Sequence, residues 1–181
     1  AFSSEAHLCA AFIESLPPEV VAYPETGGYD LVVVSAVFQI GIHAKLRANV
    51  DVLAQAIGGR FYDPKRTGPD HRAVLVPASS LNFDDVARRL RVAVVSPLPS
   101  TPWTPGVRWG HTAKWGGRDG FTEAVSHWPR WETAGPLELP PVVPTGPAGV
   151  PSPSSLTPWR VGALRICTIL HARGYVTRLE R

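Results

Sequence analysis

The sequence predicts an α/β fold: a mixed β-sheet flanked by helices, then a Pro-rich linker and a C-terminal helix. Three observations predict it. Two β-branched apolar runs, "YDLVVVSA" and "FQIGIHAKLR", lie back to back between Tyr29 and Arg47. Stretches with helical periodicity and polar caps stand on either side of them. Near residue 98 the composition shifts from alternating apolar segments to Pro, Trp, Gly and Arg.

The first element is a helix over "SSEAHLCAAFIESL" (Ser3–Leu16). Ser3 or Ser4 caps it, an acid follows in the first turn, and Leu8, Cys9, Phe12 and Leu16 share one face. Pro17–Pro18 stop it. "EVVAYPET" (Glu19–Thr26) is a short strand that leads to a Gly27–Gly28 turn. The two apolar runs follow as a hairpin with its break near Ala36–Val37. "NVDVLAQAIGG" (Asn49–Gly59) is a helix with Asn49 as cap and Gly58 as stop. "FYDPKRTGPD" is a loop. "HRAVLVPA" (His71–Ala78) is a strand, "SLNFDDVARRLR" a helix capped near Ser80 or Asn82, and "VAVVSPL" a last strand. The order α-β-β-β-α-β-α-β makes residues 1–98 an α/β core.

Residues 99–135 read as an irregular Trp/Arg-rich segment and 136–156 as an extended polyproline-type linker. Residues 157–181 read as a C-terminal helix and strand. Thr157 caps that helix, Pro158 takes its first position and Gly174 ends it. Trp159, Ala163, Ile166, Cys167 and Leu170 form its apolar stripe, which is expected to dock on the core or on a second copy in a homodimer.

Hydrophobic residues make up 44 % and charged residues 18 % of the 181, so the chain buries a core and is not disordered throughout. No apolar run reaches the roughly 18 residues that span a bilayer, so no membrane role is expected. The start, "AFSSEAHLCAAFIE", lacks the basic region of a signal peptide, and Cys9 and Cys167 match no metal spacing. A cytoplasmic protein with two reduced core thiols is expected.

The charge is uneven. Residues 1–44 carry five acids (Glu5, Glu14, Glu19, Glu25, Asp30) and no Lys or Arg. The other residues carry all 18 bases and the remaining 10 acids. An acidic cluster within a basic protein suits a metal site that works on a polyanion. Fifteen of the 18 bases are Arg; Lys45, Lys65 and Lys114 are the exceptions, which hints that a compact ammonium is wanted at those places.

Alternation on a strand puts His43 and Lys45 on one face. A closed hairpin brings Asp30 beside them, and Glu14 and Glu25 reach the same region. Carboxylates gathered this way bind a hard cation such as Mg²⁺, which contacts substrate phosphate and activates water, while a lysine stabilises the transition state. Trp103, Arg108, Trp109, Lys114, Trp115 and Arg118 are candidates for a surface that stacks on bases and contacts phosphates.

The order helix, strand, "YD" strand, "IGIHAK" strand and a helix containing Gln resembles the PD-(D/E)xK nuclease superfamily. Arg47, Asn49, Leu53, Gln55 and Ala56 match the "RxNxxxLxQA" helix of its phage and plasmid members. The resemblance covers roughly residues 3–98 and implies a restriction-endonuclease-like αβββαβ core that cleaves DNA with Mg²⁺. By position, Asp30 would be the first metal ligand, Lys45 the catalytic lysine, Glu14 the helix acid and Gln55 the glutamine of exonuclease-like members. Arg47 and Asn49 would lie at the nucleic acid. The sequence departs from the pattern at His43, where the second acid should stand. A neutral imidazole is a poor Mg²⁺ ligand. Three outcomes follow: Glu25 supplies the missing carboxylate, the site prefers Mn²⁺, or the site is degenerate and the chain binds DNA or protein without cutting. The C-terminal stretch, with Arg160, Arg165, Arg173 and Arg178, resembles part of a winged helix.

Overall fold

The computed structural model describes residues 2–58, 67–98, 108–110, 121–150 and 158–175. Helix α1 (Glu5–Ser15) opens the chain, with the Ser4 side chain accepting from the His7 N–H at its N-cap. Strands β1 (Val21–Thr26), β2 (Tyr29–Val34) and β3 (Gln39–Ala44) form an antiparallel meander. Gly27 and Gly28, at φ 63° and 87°, make the two-residue β1–β2 turn, a conformation whose double positive φ favours glycine.

Helix α2 (Val50–Ala56) carries the chain to β4 (His71–Leu75), which runs parallel to β3. Helix α3 (Leu81–Arg89) then leads to β5 (Ala93–Leu98), parallel to β4. The result is an α/β domain with a five-stranded mixed sheet in the order β1-β2-β3-β4-β5. A short sixth strand, β6 (Arg108–Gly110), pairs antiparallel with the end of β5. Asn49 caps α2 through Val52 N–H and Ser80 caps α3 through Phe83 N–H.

The parallel part of the sheet around β4 is buried on both faces, as its crossovers require. Leu31, Val33, Ile40, Ile42, Leu75 and Val95 pack with Leu8, Cys9 and Phe12 of α1 on one side. Val74, Val76, Val92 and Val94 pack with Val52, Leu53 and Ala87 of α2 and α3 on the other.

The core extends past residue 98. Helix α4 (Phe121–Ser126) and the turn after it bury Phe121, Val125 and Trp128 in the α1-side cluster. Trp131 packs on the other cluster, with the Arg72 guanidinium 4.1 Å from its ring centroid. These two tryptophans are anchors of the fold. The Pro-rich run expected to be a tether touches the core at two places in its first part, Leu137 and Ala148–Gly149. The Gln39 side-chain amide pairs with both backbone groups of Leu137, and Ala148 is 3 % exposed. Bends at 141–142 and 146 and a turn at Ala148–Gly149 shape that stretch, so it is not a straight extended run.

Helix α5 (Pro158–Arg173) ends at Gly174, φ 77°, as its sequence expects. Its stripe is open at both ends, with Trp159 78 % and Leu170 50 % exposed. Cys9 is buried but Cys167 is exposed, so only one of the two thiols lies in the core. The expected cap Thr157 and most of the expected last strand lie outside the described residues. Among the described residues no helix is long and apolar enough to cross a membrane.

His71 predicts a pH dependence. It is 5 % exposed, lies edge-on to Phe38 and Trp128, and its Nδ1 meets the Pro129 carbonyl at 3.1 Å. Burial, aided by the Arg130 charge, pushes its pKa below the ordinary 6.5 against the pull of Pro129 and Asp70. The unfolded chain therefore binds a proton that the folded chain refuses. This contribution is complete above pH 6.5 and is lost as pH falls toward the folded value, at up to about 1.4 kcal/mol per pH unit. Urea midpoints at pH 7.5 and 5.5 should show the loss, and His71→Phe should flatten the slope between them.

Candidate active site

Paired backbone on β2 and β3 ends at Leu31↔Ile42. One step further Asp30 faces His43, and the Asp30 side chain takes over from the backbone. Its Oδ2 accepts the Ala44 N–H at 2.8 Å and lies 3.6 Å from His43 Nδ1. Both side chains are well covered, 23 % and 11 % exposed. The Tyr29 ring lies over Gly41, where a Cβ would come within 2.5 Å of it, and tilts against His43 at 5.0 Å. Glycine at 41 thus lets Tyr29 hold the imidazole beside Asp30.

Across the other edge of β2, Glu25 stands opposite Asp30, between the pairs Pro24↔Leu31 and Thr26↔Tyr29. Glu25 has φ 47°, left-handed and unfavourable for a side-chain-bearing residue by roughly 1–2 kcal/mol. Its Oε1 accepts the Gly149 N–H at 2.8 Å. Lys45 follows β3, and its Nζ donates to Glu5 Oε2 at 3.1 Å. Asp30, His43, Lys45, Glu25 and Glu5 therefore lie at one end of the sheet, with Asp30 against His43 and Lys45 against Glu5.

Glu14 is not part of this group. It lies nine residues beyond Glu5 on α1, which is about 13 Å along the axis and half a turn around it, and it is exposed. The helix acid at the site is Glu5. The buried series Leu16, Phe12, Cys9 and Leu8 already points to it, because the next step back by three or four residues is Glu5. Gln55 is exposed on α2. Arg47 is exposed. The Asn49 side chain is spent on the α2 cap. Arg165 pairs with Glu138 and with the Leu139 carbonyl. Arg108 lies in β6 and Arg160 in α5. Lys114 and Arg118, with Trp103 and Trp115, lie outside the described residues.

Electrostatics separate the two facing carboxylates. Burial pushes Asp30 up, but His43, the Ala44 N–H and Lys45 outweigh it and hold Asp30 below the usual carboxylate range. Burial also pushes Glu25 up, and there it prevails with help from Asp30, against the N–H groups of Gly149 and Val150 and the His43 charge. Burial and the surrounding charges thus push these two facing carboxyls in opposite directions. Cys9 lies in the same field. Burial and the charges of Asp30, Glu25 and Glu5 push its thiol up to about 12.

The donor set does not form a metal shell in this conformation. Among the described residues no three His, Cys, Asp or Glu side chains gather as cation ligands. One oxygen of Asp30 and one of Glu25 are taken by backbone N–H groups, and a Glu5 oxygen is taken by Lys45. Comparison with family models, with curated proteins and with solved structures finds no match to the chain.

Proposed function

We propose that this chain is a DNA phosphodiesterase with its active centre at the Asp30–Lys45 end of the sheet, dependent on Mg²⁺ or Mn²⁺. One observation carries the reading: a charged carboxylate and a lysine stand at the ends of adjacent strands, with a helix acid on the lysine. Asp30 supplies fixed negative charge and Lys45 a cation for the phosphate, with Glu25 opposite Asp30. Basic residues beyond the core, among them Arg160 on α5, would contact the DNA backbone.

A second reading has its own observation. His43 occupies the place of an acid and sits against Asp30, which suits a site that has lost its cation and keeps the fold for binding DNA or protein.

Incubation with linear and circular duplex DNA in Mg²⁺ or Mn²⁺ separates the readings. Cleavage that a chelator stops is expected. Binding without cleavage, with cleavage appearing in His43→Glu, would establish the degenerate site. Absence of both binding and cleavage at low salt would remove DNA as the substrate.

A further inference from the structure

The chain returns to the candidate site from its C-terminal side. Gly149 lies against the first turns of α1. A Cβ there would stand 3.0 Å from the Glu5 carbonyl carbon and 3.1 Å from Cys9 Sγ, and its φ of 73° favours glycine. The Gly149 N–H donates to the side chain of Glu25, the residue whose backbone is left-handed at φ 47°. This stretch covers Glu5, Cys9 and Glu25 together.

Little holds it down. Of residues 142–150, Ala148 is in the core, whereas Val142, Val143 and Val150 are 73 %, 38 % and 38 % exposed. Undocking therefore uncovers Ala148, the Gly149 backbone and the covered parts of Val143 and Val150, and releases the Gly149 and Val150 N–H groups from Glu25. Segments with so few buried apolar groups open well below the free energy of global unfolding.

We propose that residues 144–150 are a latch over this end of the sheet, held closed by Glu25 and lifted when substrate enters. Closed, the latch occupies the approach from α1 and engages a Glu25 oxygen. Open, it frees that carboxylate opposite Asp30. The identity of the substrate as DNA rests on the function proposed above; the latch itself does not.

Cys9 reports on the latch, because it is fully buried beneath Gly149. In the full chain carrying Cys167→Ser, maleimide labelling of Cys9 is measured across urea concentration. Labelling should be nearly independent of urea at low concentration and about 100-fold or more faster than global unfolding allows. Gly149→Ala should speed it about tenfold, since both its Cβ and its φ oppose docking. Glu25→Ala should speed it as well, whereas Glu25→Gln, which keeps an acceptor oxygen, should stay near the parent. A short DNA duplex at low salt should also speed it.

Labelling that follows global unfolding at every urea concentration would overturn the latch. So would a rate unchanged by Gly149→Ala, or bound duplex that leaves Cys9 as protected as before. If the Gly149-dependent opening is present and no duplex binds, the latch stands and the DNA reading falls.

Discussion

Asp30→Asn should abolish DNA cleavage, by about 10³-fold, and leave the fold nearly intact. The substitution separates charge from hydrogen bonding. An Asn side-chain oxygen still accepts the Ala44 N–H, so the β2–β3 end keeps its geometry. What disappears is the negative charge that His43 and Lys45 face. A factor of 10³ corresponds to about 4 kcal/mol of transition-state stabilisation, the range found when one preorganised electrostatic group is removed. Asp30→Ala should cost stability in addition, about 1–3 kcal/mol, because the Ala44 N–H loses its acceptor in a part-buried place. Lys45→Ala should lose about 10²–10³-fold in cleavage and little stability, since its pair with Glu5 is partly open to solvent. Rates and urea midpoints measured on the same three preparations test the scheme. Cleavage by the Asn variant at the wild-type rate would exclude Asp30 from the chemistry.

Phe12→Ala should destabilise the protein by about 3–5 kcal/mol, a large share of the roughly 5–15 kcal/mol that holds an ordinary domain together. Phe12 is fully buried and belongs with Leu8 and Cys9 to the seam between α1 and the sheet. The cavity left by the ring cannot close without moving the helix. That helix also carries Glu5, so the same substitution should loosen the Glu5–Lys45 pair. Phe12→Leu keeps most of the volume and should cost about 1.5 kcal/mol or less. Denaturant midpoints at unchanged m-value are the measurement. A small effect of Phe12→Ala would mean that α1 is not a fixed wall of the site.

Much of the fold is legible in the sequence because its signals are local. The caps Ser4, Asn49 and Ser80, the stops Gly58 and Gly174, and the β-branched runs act within a turn or a strand. Asp30, His43 and Lys45 lie at one sheet end for the same reason: a tight hairpin and the two-residue period of a strand bring them there.

Two features of the site are harder to read. Glu5 instead of Glu14 follows from extending the buried face of α1 back by one turn, a signal present in the sequence and easily outweighed by a pattern match at Glu14. The Gly149 contact has no local signal. It joins residues more than a hundred positions apart, and one glycine in a Pro-rich run does not reveal what it packs against.

By itself, then, the sequence determined the α/β class, the order of the core elements and the end of the sheet where acid and lysine lie, because periodicity, capping and turn chemistry are short-range. Tertiary structure alone decided the rest. It brought Leu137 and Ala148–Gly149 against the core, committed Asp30 to the Ala44 N–H and Glu25 to Gly149, and turned Trp128 and Trp131 inward. Those outcomes depend on which buried polar groups and apolar rings find partners across long stretches of chain, and that is settled only when the whole core closes.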